Sequence, residues 1–443
     1  MSAGHNPAAR RIVHAGSGLL ALLLKRLSVP QAALVAGVAC LFNYFVLPRI
    51  GASLFRSAER RRPLESGIHL YPFAVLLLIL LFGWRMEVAA AAWVIFAAGD
   101  PAASFAGERF GRLRLPWNHA KSWAGSAAFL IAAGLAGWGM LVYMGRPVGE
   151  AAWLMAPTAC FAAFVESLPW RLNDNLSVPL LSALFLCALV EGDAMRLPVV
   201  AAALAPAFAV GAAVNVVLAL VFRAAGAVDR SGAAGGFAVG TLTWGFGGWR
   251  AFAILVAFFV LGTLATRLGR GRKERLGVAQ EKRGARSARH AIANCGVAVV
   301  LALLTATAPA PGIFVLAFVC AYATAAFDTV SSEVGQAWGG KPVLITTLKR
   351  VPIGTDGAVT LLGTLAGLAA ASFVGGLAIA TGLMPASLLP LVLFAAFVGS
   401  SADSLLGATL ERRGLLDNEA VNFSNTLIGA LAGVVGALLP VRL

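Results

Sequence analysis

A succession of apolar stretches most constrains what this chain can fold into. They lie at about 15–24, 30–48, 68–83, 86–99, 122–144, 151–168, 177–190, 197–222, 249–265, 291–308, 312–327, 358–381, 385–400 and 420–440, with short polar connections between them. A hydrocarbon core of ~30 Å takes about 20 helical residues, and several of the stretches sit near the lower limit. Some are therefore expected to be tilted or to be half-helices. At these lengths only helices satisfy every backbone group in lipid, and the alternation that a strand barrel needs is missing. Composition agrees: 12% of the residues are charged and 59% hydrophobic, with mean hydropathy +0.83, whereas a soluble domain carries roughly 25% charged residues. The expected fold is all-α, a polytopic integral membrane helical bundle of roughly 13–14 transmembrane helices. It divides into two related halves, residues 1–195 and 196–443.

The formal charge of +15 raises nucleic acid as a partner. The Arg and Lys, however, sit in short clusters between apolar runs, as positive-inside topology produces, so no nucleic acid is expected. The basic segments Arg56 to Arg62, Arg109 to Lys121, Arg267 to Arg289 and Lys341 to Arg350 are expected to face the cytoplasm. The thinly charged turns Gly145 to Glu150, Glu191 to Arg196 and Thr307 to Gly312 belong on the other side by the same rule. Excess cations also suit an enzyme that handles anionic phosphates. The five cysteines (Cys40, Cys160, Cys187, Cys295, Cys320) lie within apolar spans and form no CxxC pair, which disfavours disulfides and zinc and leaves core packing. No cleavable signal peptide is expected; the first spans would act as the membrane signal.

Two polar interruptions match each other. Asp328, Ser332, Gly335, Trp338, Gly339 and Lys349 each lie 228 positions after Asp100, Ser104, Gly107, Phe110, Gly111 and Lys121. Further echoes join Arg10-Arg11-Ile12-Val13-His14 to Arg286-Ser287-Ala288-Arg289-His290, Glu166-Ser167 to Asp403-Ser404, and Asp174-Asn175 to Asp417-Asn418. The chain therefore reads as two related active units. Internal duplication is also common in transporters, so the repeat alone does not choose a function.

The residue types point to phosphate chemistry. Asp100 and Asp328 follow apolar helices, and a carboxylate there can hold Mg2+ or Mn2+ together with nucleotide phosphates. Gly107 and Gly111, and Gly335 and Gly339, allow close backbone approach to phosphate or close helix packing. Lys121 and Lys349 would neutralise charge developing on a transferred phosphoryl group. The alternative is packing glycines with a snorkelling lysine, against which the Asp-to-Lys interval is 21 residues in both copies. Neither lysine lies in a P-loop. Glu166, Asp174, Asn175, Asp403, Asp417 and Asn418 form a second acidic cluster in each unit. With Asp100 or Asp328 they would complete a metal site, Asp174 and Asp403 as ligands, or deprotonate an alcohol, helix caps being the plainer reading.

Unit two adds Glu333 beside Ser332 as a further catalytic candidate. It also adds the run Leu344 to Gly357, in which Thr346, Thr347, Gly354 and Thr355 suit phosphate oxygens or form a plain polar loop. Ser122 and Gly125 extend the phosphate-binding candidates of unit one. His14 and His290, each at a basic helix start, are catalytic, phosphate-contacting or interfacial anchors. The pairs Gly363/Gly367 and Gly429/Gly433 pack helices within one chain as readily as between chains.

At these residues the chain resembles known families. Residues 10–190, with Arg10-Arg11-x-x-His14, Gly99-Asp100, Lys121-Ser122-x-x-Gly125-Ser126 and Glu166-Ser167…Asp174-Asn175-x-x-Val178-Pro179, resemble the dolichol kinase/phytol kinase family. Its members are polytopic enzymes that phosphorylate polyisoprenoid alcohols, typically with CTP. Ser104 departs from many phytol kinases, which place a second Asp there, and is closer to dolichol kinases. Residues of about 200–443 resemble the DUF92/TMEM19-like membrane family, which includes the plant phytyl-phosphate kinase. That likeness rests on Asp328-Thr329-Val330-Ser331-Ser332-Glu333-Val334-Gly335, Ile345-Thr346-Thr347-x-Lys349-x-Val351-Pro352-x-Gly354-Thr355 and Asp403-Ser404-Leu405-Leu406-Gly407-Ala408-Thr409-Leu410.

The joined resemblances imply a bifunctional kinase. Unit one would convert an isoprenoid alcohol of the phytol, geranylgeraniol or farnesol type to its monophosphate, and unit two would make the diphosphate. A Mg2+-bound nucleoside triphosphate, CTP or else ATP or another, would reach signature loops on the cytoplasmic face while the lipid enters between helices. A CDP-lipid-forming cytidylyltransferase would need a denser downstream acidic motif. A duplicated transporter would scatter acids at the bilayer midplane, whereas here they cluster at span ends beside basic loops.

Overall fold

The computed structural model of the chain describes residues 7–51, 66–169, 173–191, 197–278, 285–308 and 311–438. The expected basic segment Arg56 to Arg62 lies outside the described residues, as do 192–196, 279–284 and 309–310 of the other expected loops. The chain divides into two compact units, Met1–Leu197 and Pro198–Leu443.

Unit one is built from α1 (Pro7–Ser17), α2 (Val29–Phe45), α3 (Leu47–Ile50), α4 (Gly67–Phe82), α5 (Met86–Phe110), α6 (Trp123–Met144), α7 (Val148–Ser167) and α8 (Asp174–Glu191). Unit two is built from α9 (Leu197–Ala224), α10 (Arg230–Arg267), α11 (Arg270–Arg275), α12 (Ala288–Thr307), α13 (Gly312–Trp338), α14 (Leu361–Ala380), α15 (Leu389–Leu406) and α16 (Asn418–Leu438). A two-stranded antiparallel ribbon, β1 (Val343–Leu344) and β2 (Ala358–Val359), pairs Val343 with Val359 and lies between α13 and α14.

Among the described residues eleven helical segments are long and apolar enough to cross a membrane, which makes this an integral membrane helical protein. Two of the eleven are double. Gly67–Phe110 holds 44 residues, about 66 Å if straight against a ~30 Å core. It is broken by a 3-10 turn at Gly83–Arg85, and Trp93 Nε1 donates to Tyr71 Oη at 2.8 Å, so α4 and α5 lie side by side. The 38 residues of α10 are broken at Gly248, whose φ of 69° and ψ of −174° leave the helical region. The rings of Trp244 and Phe252 stand 5.0 Å apart across that break, so α10 is a hairpin of two arms. Counted by arm, the described residues hold thirteen such rods.

Three sequence expectations change at this level. The stretch 15–24 falls largely on an eight-residue 3-10 helix, Gly18–Lys25, and the stretch 30–48 on the 17-residue α2, both short for a crossing. The first arm of α10 is a rod that the apolar count passes over, because Gly232, Gly235, Gly236 and Gly240 dilute its hydropathy. Of the five free cysteines, Cys187, Cys295 and Cys320 pack in the core, but Cys160 is exposed and Cys40 half-buried.

The most enclosed helix is α13, and α5 is buried through its first half. Val88 to Ala92, Ile95 and Phe96 are buried in α5, and Leu316 to Phe327 are buried almost without interruption in α13. Asp100 and Asp328 lie toward the far ends of these two central helices. Each central helix then crosses the start of the next one at glycines. Ser122 caps α6 by accepting from Gly125 N at 3.2 Å. A Cβ on Gly107 would stand 3.4 Å from Ser122 Oγ, and one on Gly111 only 2.8 Å from it. In unit two Thr360 caps α14 by accepting from Gly363 N at 3.1 Å. A Cβ on Gly335 would stand 2.8 Å from Thr360 Oγ1, and one on Gly339 2.5 Å from it. The recurring glycines are thus the crossing points of paired helices. Gly367 lies against Phe327, Gly429 against Thr324 and Gly433 against Cys320, so these small residues also pack within unit two.

Candidate functional site

In unit one five elements bring charge to one place. Lys121, just before the cap of α6, reaches Glu166 Oε1 at 2.6 Å and Asp174 Oδ2 at 2.7 Å. Glu166 ends α7, where it is buried, and Asp174 opens α8. Burial works against the Lys121 charge, but the fields of Asp174 and Glu166 and their hydrogen bonds outweigh it and hold the ammonium above the usual lysine range. Here Lys121 is already neutralised by two carboxylates, where the sequence pattern predicts a free cation. Asp100, from α5, does not pair with it; Asp100 Oδ2 stands 3.3 Å from His14 Nδ1 on α1.

His14 is boxed by aromatic rings, with Tyr71 at 4.5 Å and Phe96 at 5.0 Å between centroids. Tyr71 is fixed by Ser17 and Trp93. Among the described residues this leaves His14 Nε2 buried with no partner, and Glu166 Oε2 is another buried atom without one. Unsatisfied buried polar atoms are costly and mark places where a ligand completes the bonding. Asp100, His14, Lys121, Glu166 and Asp174 all line one cavity of about 1780 Å³. Its other walls include Leu24, Val35, Val75 and Ile79, so a polar site and an apolar channel share the space.

The remaining candidates of unit one do structural work. Ser122 is the α6 cap, and Gly107, Gly111 and Gly125 are crossing points; of these, Gly107, Ser122 and Gly125 also line the cavity. Asn175 donates to Asn173 Oδ1 at 2.8 Å and lies against Gly67.

Unit two gathers its acids differently. The carboxyl groups of Asp328 and Asp403 stand close enough to act on each other, with Ser400 beside Asp328. Asn425, on α16, donates to Asp403 Oδ1 at 2.7 Å, while its own Oδ1 is buried without a partner. Asp417 and Glu419 are drawn to Arg289, at 2.9 and 3.5 Å, and Asp417 also caps α16 through Ala420 N at 3.0 Å. Asn418 is the first residue of α16.

Several predicted partners of Asp328 stand elsewhere. Lys349 is exposed and forms no ion pair among the described residues. The connection from α13 to α14 runs over residues 339–360, whereas that from α5 to α6 is only 111–122. Lys121 is therefore two residues from a helix start and Lys349 twelve, and the equal Asp-to-Lys interval does not give equal placement. Thr346 and Thr347 are exposed on the same connection, Thr355 Oγ1 bonds Pro352 O at 2.8 Å, and Gly354 turns with φ 85°. Ser332 bonds its own helix at Thr329 O. Glu333 stands away from Asp403, buried against Lys273, and accepts from Thr266 Oγ1 at 3.0 Å. His290, on the first turn of α12, lines a second, small cavity beside Arg286. Burial works against the charge of Arg286.

Asn425, Ser400 and Lys273 are the residues that sequence reading passed over, and Arg286 entered it only as part of a repeat. Polar residues inside apolar spans were the available signal for the first two, since such placements are costly in lipid.

Among the described residues no three His, Cys, Asp or Glu side chains form a ready metal cage. Mg2+ needs less, because it keeps waters and uses one or two carboxylates with substrate phosphates. The Asp328–Asp403 pair beside the orphaned Asn425 Oδ1, and Asp100 and Asp174 beside the orphaned Glu166 Oε2, fit that demand.

A polytopic helical membrane protein with acid-lined sites at the ends of its central helices is the class that fold and sites define. The chain belongs to the DUF92 family of integral membrane proteins, which matches residues 213–430. The membrane protein sll0875 of Synechocystis sp. is 37% identical over 199 residues, 44% of this chain and 77% of its own length. Protein VTE6, chloroplastic, of Arabidopsis thaliana is 36% identical over 215 residues, 47% of this chain and 65% of its own. A protein of Triticum aestivum named "Probable phytol kinase, chloroplastic" is 35% identical over 141 residues, 30% of this chain and 46% of its own. No solved structure matches the chain.

Proposed function

We infer that the chain is a membrane phosphotransferase that phosphorylates an isoprenoid alcohol in unit one and the resulting monophosphate in unit two. The carrying observation is the unit-one cavity, where Asp100, His14, Lys121, Glu166 and Asp174 meet an apolar wall. Its volume of about 1780 Å³ exceeds the roughly 300–1,000 Å³ of common ligand pockets, giving room for a nucleotide and a prenyl chain together. Likeness to a relative named as a phytol kinase supports the same substrate class.

In unit one Asp100 orients the His14 ring through Nδ1, so Nε2 takes the proton as the alcohol oxygen bonds to the γ-phosphorus. The nucleoside diphosphate leaves. Lys121, released from Glu166 or Asp174 by incoming phosphate oxygens, stabilises their charge. In unit two a lipid monophosphate oxygen is already ionised and needs no base; no histidine pairs with Asp328 among the described residues. Asp100 and Asp174, and Asp328 and Asp403, would hold Mg2+ or Mn2+, which when bound neutralises phosphate charge. CTP is the donor implied by the resemblance, and the basic loops support a cytoplasmic side for both sites.

The test is purified full-length protein with labelled CTP or ATP and farnesol, geranylgeraniol, phytol or dolichol. Asp328→Ala should accumulate the monophosphate, while Asp100→Ala makes nothing from alcohol yet still converts supplied monophosphate. Equal loss of monophosphate formation in both variants would sink the division of labour, and no transfer by the unaltered protein would sink the kinase.

A further inference from the structure

The small cavity of unit two has a lining unlike the rest of the bundle. It measures about 90 Å³ and is walled by both arms of α10, by α9 and by the start of α12. Almost all of that wall is apolar, with Phe222, Leu255, Phe258 and Phe259 prominent. Its cation is Arg286. The guanidinium lies over the ring of Phe258 at 5.4 Å and that of Phe259 at 5.5 Å. It also rests directly on Gly262, where any Cβ would strike Nη2. Among the described residues Arg286 makes no ion pair and no side-chain hydrogen bond, although it is half-buried. Its backbone is pinned instead, by Arg286 N to Ala227 O at 3.0 Å and Asp229 N to Arg286 O at 3.1 Å, which fixes where the head group points.

A guanidinium placed among apolar groups without a carboxylate is costly, and ring faces offset only part of that cost. An anion completes such a site. Beside Arg286 the positive end of α12 adds a favourable field, although its N–H groups at Ala288 and His290 are taken by Ser231 Oγ and Ser287 Oγ, with His290 at the cavity wall. A space of about 90 Å³ takes the volume of about three waters, enough for a head group and too little for a nucleotide. The ring pair Phe222–Phe259, 4.6 Å between centroids, continues the wall as an apolar face.

We propose that this cavity binds the phosphate of a lipid phosphomonoester, held by Arg286, with the prenyl chain leaving along Phe222 and Phe259. This rests on reading unit two as acting on a lipid monophosphate, and makes Arg286 and its cavity the element that selects phosphorylated over free alcohol.

The experiment measures equilibrium binding of radiolabelled geranylgeranyl monophosphate to the full chain in nanodiscs, without nucleotide or divalent metal. A Lys121→Met background removes the contribution of unit one. Geranylgeraniol and inorganic phosphate are the comparison ligands. The monophosphate should bind at least about tenfold tighter than the alcohol, and Arg286→Met should abolish that preference while leaving alcohol binding unchanged. Equal binding of both lipids, or a preference that survives Arg286→Met, overturns the proposal; inorganic phosphate binding as tightly as the lipid overturns the lipid part of it. Should Arg286→Met fail to fold, a diazirine-bearing prenyl monophosphate on the unaltered chain decides: label on α9, α10 or α12 is expected, and label confined elsewhere refutes it. Asp328→Ala should bind the monophosphate like its parent. Intact binding with no turnover by the unaltered chain would sink the kinase reading alone.

Discussion

Lys273 and Glu333 form an ion pair closed off from solvent, at 2% and 3% exposure. Lys273 also donates to Thr266 O at 2.8 Å and Ala265 O at 3.2 Å, so its donors are engaged by α10 while Glu333 belongs to α13. A buried pair is weak support for stability but expensive to break, about 3–5 kcal/mol when one partner is removed. Glu333→Ala is expected to lower the thermal midpoint sharply, and Lys273→Met with Glu333→Leu to restore most of it. Lost turnover in Glu333→Gln at an unchanged midpoint would instead return Glu333 to the chemistry.

The α13–α14 crossing makes a second prediction. A Cβ on Gly339 would stand 2.7 Å from Thr360 Cγ2 and 2.5 Å from Oγ1. Gly339→Ala is expected to destabilise the protein by about 1–3 kcal/mol, as overpacking does. Thr360→Ser keeps the cap hydroxyl and removes Cγ2, so it should recover part of the loss in denaturant or heat unfolding.

The two signature lysines should separate in kinetics. Lys121→Met, which leaves Glu166 and Asp174 unpaired, is expected to cut formation of monophosphate from alcohol by at least about a hundredfold. Lys349→Met, on an exposed connection, should alter the apparent KM for nucleotide in the second step and leave stability within about 0.5 kcal/mol. Matching hundredfold losses in kcat for both steps would show that the lysines act alike after all.

Asn425 should matter only to unit two. Asn425→Leu removes the donor to Asp403 Oδ1 and leaves two adjacent carboxyl groups without it. Diphosphate formation is expected to fall at least about tenfold while alcohol phosphorylation is kept, read by thin-layer separation of the two products. A proportional fall in both would place the effect in folding.

From the sequence alone the helical class and the charged residues of unit one were legible, because carboxylates and a lysine inside apolar surroundings stand out. Which of them touch was not, since His14, Asp100, Lys121, Glu166 and Asp174 come from five elements and only packing brings them together. In unit two the equal spacing misplaced Lys349, because the β-ribbon connection is longer than its counterpart, and an interior cation comes from Lys273 instead. The glycines matched in sequence for a packing reason: each pair lets a central helix pass over a capped neighbour.

Gly248 has a consequence for topogenesis. Its φ of 69° is strained for residues with a side chain, by about 1 kcal/mol or more, and the turn between the arms of α10 depends on it. Were the arms to fuse, one rod of about 57 Å would replace an out-and-back excursion, and the parity of all later crossings would change. The Asp328–Asp403 pair would then be delivered to the compartment opposite its native one, away from whatever soluble co-substrate reaches it now.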